Sequence, residues 1–100
     1  MVYLIKKNIE HEAENLWQGK GADICFLQEN ISKFIEIVST KCVEGFGDGI
    51  EFPLQYLMDA TDHFKEAIKK RDDYLLADCL YYEWREIIIV FIELCEALEK

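Results

Sequence analysis

The strongest constraint on the fold is an apolar repeat in the last quarter of the chain. From about Tyr74 onward, apolar residues recur at alternating steps of three and four, namely Ala77, Leu80, Trp84, Ile87, Phe91, Leu94 and Leu98. This spacing is that of one face of a packed α-helix. It continues through the consecutive apolar residues from Ile87 to Ile92, where a strand would end. A membrane helix would need about 20 apolar residues in a row, so the segment is predicted to be one long helix of a soluble protein.

Three earlier segments show the same period and predict three further helices. The residues of their predicted stripes, apolar except for Thr61, are Val2, Ile5, Ile9, Ala13 and Leu16 in the first segment, Ile24, Leu27, Ile31, Phe34 and Val38 in the second, and Leu54, Leu57, Thr61, Phe64 and Ile68 in the third. Nothing in the sequence alternates as a strand does. A chain of 100 residues with 51% hydrophobic content can bury one modest core. We therefore predict an all-α fold, an antiparallel four-helix bundle with up-down-up-down topology, in which residues 1–100 form a single domain.

Helix boundaries are marked by capping residues. Gly19 is suited to end the first helix in the left-handed conformation that other residues resist. Asp23 is placed to cap the second helix, and Asp48 with Glu51 has the spacing of a capping box before the third. The last junction, "KKRDDY", has no glycine but places cations at a helix end and two aspartates at a helix start. One continuous helix through this junction is the alternative.

Charge and cysteine usage limit the function classes. The net charge is −9, and the 11 Lys and Arg form no basic stripe. We therefore expect no nucleic-acid binding and no membrane binding, and we expect a protein partner that carries basic groups. The cysteines Cys25, Cys42, Cys79 and Cys95 include no C-x-x-C pair and follow no secretory signal. They are expected to be reduced, buried and structural in a cytoplasmic protein.

The fourth helix carries more apolar residues than one face requires. Its stripe, widened by Tyr81, Ile88, Ile92 and Cys95, spans roughly 160°, which suits a central helix with two neighbours. Trp84 lies on the stripe and is predicted to be a core residue whose indole N–H is hydrogen-bonded.

Outside this stripe lie four apolar residues among glutamates: Leu75, Tyr82, Ile89 and Val90. We predict that they form an interface for a partner or for a second copy of the chain, giving a homodimer. Scattered surface hydrophobics are the alternative.

A catalytic alternative depends on carboxylates spaced three apart. Asp59 with Asp62 and Glu83 with Glu86 lie on the third and fourth helices. This spacing resembles that of all-helical, MazG-like nucleotide pyrophosphohydrolases, and the resemblance implies Mg²⁺ held by these acids. The helical phase places them on outer faces, however, and solvated acids are common in a chain with 20 of them. Di-iron bundle proteins carry E-x-x-H pairs, which neither histidine provides.

The preferred hypothesis is an acidic helical interaction module without catalysis, cofactor or metal. In size, charge and helicity the chain resembles bacterial secretion and flagellar export chaperones and small immunity proteins. That likeness is one of composition, and it implies binding through the apolar residues of the C-terminal helix.

Overall fold

The computed structural model describes residues 1–44 and 52–98, and it confirms the predicted all-α, four-helix fold. Helix α1 is Val2–Trp17, α2 is Ile24–Glu44 and α3 is Leu54–Lys70. The fourth helix, residues 73–98, has three parts: α4 (Asp73–Asp78), a π-helical segment (Cys79–Trp84) and α5 (Arg85–Leu98). The antiparallel, up-down-up-down order of the whole bundle remains a prediction.

The core is built around the fourth helix, as its wide apolar face predicts. Trp84 is fully buried, and Phe34 of α2 packs edge-on against both Trp84 and Phe91, with ring centroids 6.3 and 5.5 Å apart. The predicted stripe of α1 is buried from Ile5 to Leu16, and that of α2 from Leu27 to Val38. Edge-to-face aromatic contacts stabilise such a core beyond the area that they bury.

The predicted apolar stripe of α3 is rotated in the structure. Leu54 is 49% exposed, whereas Ala60 and Ala67 are fully or almost fully buried. Small residues at these positions let α3 approach the π-helical segment, where the Cys79 thiol lies 3.8 Å from the Ala60 carbonyl oxygen. The predicted residues Leu57 and Phe64 are buried, but the prediction missed Ala60 and Ala67 because alanine carries little hydrophobic signal.

The first connection follows the predicted capping chemistry. Gly19 has φ +76°, and the amide of Lys20 donates to the Asn15 carbonyl at 2.9 Å, which closes the end of α1. The Asp23 carboxylate accepts the amide of Phe26 at 3.0 Å and caps α2. The predicted capping box of Asp48 and Glu51 lies outside the described residues.

The connection between α3 and α4 is a true break, so the alternative of one continuous helix is wrong. Arg71 adopts the left-handed conformation, with φ +55°, that glycine usually supplies. The Asp72 carboxylate then accepts the amide of Leu75 at 3.0 Å and caps α4. Lys69 and Lys70 lie in the last turn of α3, where cations interact favourably with the helix dipole.

Candidate functional site, an acidic cleft between the third and fourth helices

A cleft of about 350 Å³ opens between α3 and the first half of the fourth helix. We call it the acidic cleft, and its lining residues are His63, Glu66, Leu75, Asp78, Cys79, Tyr82 and Glu83. Two of the four predicted interface residues, Leu75 and Tyr82, therefore lie in one site. Cys79, Tyr82 and Glu83 belong to the π-helical segment, a local geometry that often occurs at functional sites.

One wall of the acidic cleft is a pair of side chains from different helices. His63 Nδ1 lies 2.7 Å from Glu83 Oε2, and their side chains are 60% and 24% exposed. The hydrogen bond to Glu83 and the negative charge of Glu83 raise the pKa of His63, and the charges of Asp59 and Asp62 raise it further. The imidazolium form is thus favoured on this wall.

Apolar and aromatic side chains also line the cleft. Leu75 is 39% exposed and Tyr82 is 62% exposed. The Tyr82 ring contacts the rings of Tyr81, at 5.4 Å between centroids, and Trp17, at 6.3 Å. An exposed aromatic ring held in place by two others is preorganised for contact with a partner.

Cys79 also lines the cleft but is buried, and its thiol is not an activated nucleophile. Burial raises the pKa of Cys79 strongly, and the nearby negative charge of Glu83 raises it further. The thiol is therefore protonated at neutral pH and has little nucleophilic character. It acts as a small apolar surface beside Leu75.

The remaining carboxylates of the cleft differ in their partners. Glu66 pairs with Lys70 at 3.1 Å, but both side chains are more than half exposed, so the pair contributes little. Asp78 is exposed and has no hydrogen bond or ion pair with any of the described residues. The cleft thus presents three carboxylates, and that of Asp78 is free to meet a cation.

The other two predicted interface residues lie elsewhere. Ile89 and Val90 are both partly buried, and Val90 packs against the core. Neither lines the acidic cleft. The π-helical segment closes a wider turn than an α-helix, which rotates the residues after it relative to those before it. A role for Ile89 and Val90 in self-association remains a prediction.

Three of the four acids of the catalytic alternative are exposed, as their helical phase predicts, but the Glu83 side chain is only 24% exposed and lies against α3. Asp59 and Asp62 face solvent, and Asp59 accepts a hydrogen bond from Gln55 at 3.0 Å. Glu86 lies 3.1 Å from Arg85, while Glu83 bonds to His63. Within residues 1–44 and 52–98, no group of three His, Cys, Asp or Glu side chains is arranged to hold a metal ion.

Two predictions about individual side chains need correction. Trp84 is a core residue, but its buried indole Nε1 has no hydrogen-bond partner among the described residues. The indole of Trp84 acts on the neighbouring Cys79 thiol and lowers its pKa, but burial raises that pKa by more. The indole N–H itself makes no hydrogen bond within the described part of the chain. Cys25 was predicted to be buried and is exposed, because it lies beside the α2 stripe and not on it. Cys42 and Cys95 are partly buried, and Cys79 is buried.

These contacts define an all-α, four-helix protein with one acidic, partly apolar cleft as its candidate site. None of the helices in the described part of the chain is long and apolar enough to cross a membrane. Comparison of the chain with models of known families, with curated proteins and with solved structures finds no match.

Proposed function

We propose that the protein is a non-catalytic interaction module that binds a protein partner through the acidic cleft. Leu75 and Tyr82 are its apolar anchors, and the carboxylates of Glu66, Asp78 and Glu83 select a partner with basic groups. The main support is the exposed Tyr82 ring, which is held by other rings and surrounded by acids. Aromatic anchors of this kind dominate binding energy at protein interfaces, while surrounding charges set partner choice and association rate.

The chemistry of the cleft favours binding over catalysis. Its thiol is held protonated by burial and by the charge of Glu83. The imidazole of His63 is engaged with Glu83 and is exposed to solvent. A nucleophile needs a pKa close to the working pH and a partner that activates it, and Cys79 has neither. A general base at His63 would therefore have no activated thiol to serve among the residues that line the cleft. A metal-dependent hydrolase would in addition need carboxylates that converge on one ion.

Photo-crosslinking from within the cleft tests the proposal. A benzoylphenylalanine is placed at position 82 or, as a matched control, at position 74, where Tyr74 is 69% exposed but lies outside the cleft lining. In an extract of the source cells, we expect position 82 to crosslink to a defined protein that position 74 does not reach. Adding Leu75→Glu to the position 82 variant should abolish that crosslink. Equal crosslinking at both positions, or a crosslink that survives Leu75→Glu, would contradict the proposal.

A further inference from the structure

We infer that the acidic cleft receives an arginine side chain of the partner, with the guanidinium between Tyr82 and the carboxylate of Asp78. This inference rests on the proposed function and specifies the chemistry of the partner. A cleft of about 350 Å³ is at the small end of the range for ligand pockets. Its size suits one long side chain better than a whole helix.

The molecule already contains one such arrangement, made by its own Arg85. The Arg85 guanidinium carbon lies 5.0 Å from the centroid of the Tyr81 ring. Its Nη1 lies 3.1 Å from a Glu86 oxygen, and its Nε lies 3.8 Å from a Glu10 oxygen. One tyrosine face with flanking carboxylates thus holds a guanidinium by cation–π attraction and ion pairing.

Tyr82, the residue after Tyr81, has a related set of groups in which Glu83 is already paired with His63, while Asp78 has no cation beside it among the described residues. Tyr82 packs edge-on against Tyr81, with an angle of 80° between the rings, and faces a cleft that contains Asp78 and Glu83. In the described part of the chain, no cation lies over Tyr82 and none pairs with Asp78. The cleft therefore offers a guanidinium the same kinds of contact that Arg85 uses at Tyr81.

Arginine satisfies this cleft better than lysine does. Its planar guanidinium stacks on an aromatic ring and binds a carboxylate through two N–H groups, whereas the lysine ammonium is a compact, strongly hydrated charge. The methylene groups of the arginine can lie against Leu75 and the Cys79 thiol. One arginine side chain can then contact both the apolar and the charged residues of the cleft.

A set of three synthetic peptides tests this inference. Each is an amphipathic helix about 15 residues long, near the length at which an isolated helix forms in water. Leucines form its apolar face, and one central position carries arginine, citrulline or lysine. Citrulline keeps the shape of arginine but has no charge. Binding to ¹⁵N-labelled protein is followed by NMR shift changes at Leu75, Cys79 and Tyr82.

The arginine peptide is expected to bind about tenfold more tightly than the citrulline peptide, because a charged hydrogen bond is lost in the latter. Asp78→Asn should remove most of this difference. Asp73→Asn, which makes the same charge change at an exposed residue outside the cleft, should leave it intact.

Other outcomes separate the two proposals. Equal binding of the arginine and citrulline peptides at the cleft would overturn the arginine inference and leave the proposed function standing. Equal binding of the lysine peptide would overturn the choice of guanidinium. If no peptide moves the cleft signals at millimolar concentration, the arginine inference is overturned, and crosslinking from position 82 still decides the proposed function. If the NMR shifts of the cleft residues change when the protein alone is diluted, a second copy of the chain occupies the cleft. That result would also overturn the arginine inference.

Discussion

His63 Nδ1 lies 2.7 Å from the Oε2 atom of Glu83, a residue 20 positions later in the chain. This contact joins α3 to the π-helical segment at the wall of the acidic cleft. It is therefore a titratable link between the two helices that form the candidate site.

The pKa of His63 should depend on Glu83. Because the hydrogen bond and the charge of Glu83 raise this pKa above 6.5, Glu83→Gln is expected to lower it. A pH titration of the His63 ring signals by NMR measures both values. Glu66→Gln, which removes a carboxylate of the same cleft that does not bond to His63, is the matched control and should have a smaller effect.

The same contact predicts how stability depends on pH. A histidine whose pKa is higher in the folded state stabilises the protein fully below its unfolded pKa, and this stabilisation is lost as the pH rises through the folded pKa. The free energy of unfolding of wild type should thus exceed that of Glu83→Gln most at pH below about 6.5, and the difference should shrink above it. Urea denaturation of both proteins at several pH values measures this difference in free energy of unfolding. A difference that grows with pH would contradict the assignment.

Self-association is expected to involve Ile89 and not the acidic cleft. Light scattering should give a mass near twice the 11.8 kDa of the chain, unchanged by Mg²⁺. Ile89→Glu should give a folded monomer, while Met58→Glu, at a residue of α3 that is 60% exposed, should stay dimeric. A mass that responds to Mg²⁺ would favour the acid-pair alternative, and loss of folding in Ile89→Glu would place Ile89 in the core.

The helices and their ends could be predicted from local sequence, but the contacts of the site could not. A repeat of three and four fixes which face of a helix is apolar, and Asp23 and Asp72 cap helices through amides only three residues away. The link between His63 and Glu83 depends on how α3 packs against the fourth helix. The buried face of α3 also repeats at steps of three and four, but two of its members are Ala60 and Ala67, and alanine is a weak hydrophobic marker, so the sequence does not single out this face.

The π-helical segment shows a second limit of the sequence patterns. Residues from Cys79 to Trp84 fit an α-helical repeat, and nothing in their composition marks a wider turn. Tyr82 lies within this turn and lines the cleft, whereas Ile89 follows the turn and does not. Of the residues predicted for the interface, Tyr82 is exposed in the cleft, whereas Ile89 is partly buried and lies outside it. The interface itself stays a prediction.

The cap at Asp72 makes a specific prediction for stability. Asp72→Ala removes the acceptor for the Leu75 amide, so it should lower the free energy of unfolding by about 1 kcal/mol. Asp73→Ala removes a neighbouring acid of the first turn of α4, which is expected to cost less. Urea denaturation followed by circular dichroism measures both. Equal losses would show that the charge, and not the cap, stabilises this helix start.

The four thiols should differ in reactivity. Cys25 is exposed, while burial and the charge of Glu83 keep the Cys79 thiol protonated, and the thiolate is the reactive form. Iodoacetamide is therefore expected to label Cys25 first in the folded protein and Cys79 last, with the sites and rates read by mass spectrometry. Cys25→Ser should remove the fast phase. Labelling of Cys79 as fast as Cys25 would show that Cys79 becomes exposed to solvent in the folded protein.

The aromatic contacts of Phe34 connect α2 to the fourth helix and should be the most sensitive part of the core. Phe34 is fully buried and meets both Trp84 and Phe91. Phe34→Ala leaves a cavity between these rings and is expected to cost about 3–5 kcal/mol. Since domains are typically stable by only about 5–15 kcal/mol, this variant should be close to unfolding at room temperature. Phe26→Ala in the same helix removes a partly buried ring and should cost clearly less. If both substitutions lower the free energy of unfolding equally, the contacts of Phe34 with Trp84 and Phe91 would not be central to the core.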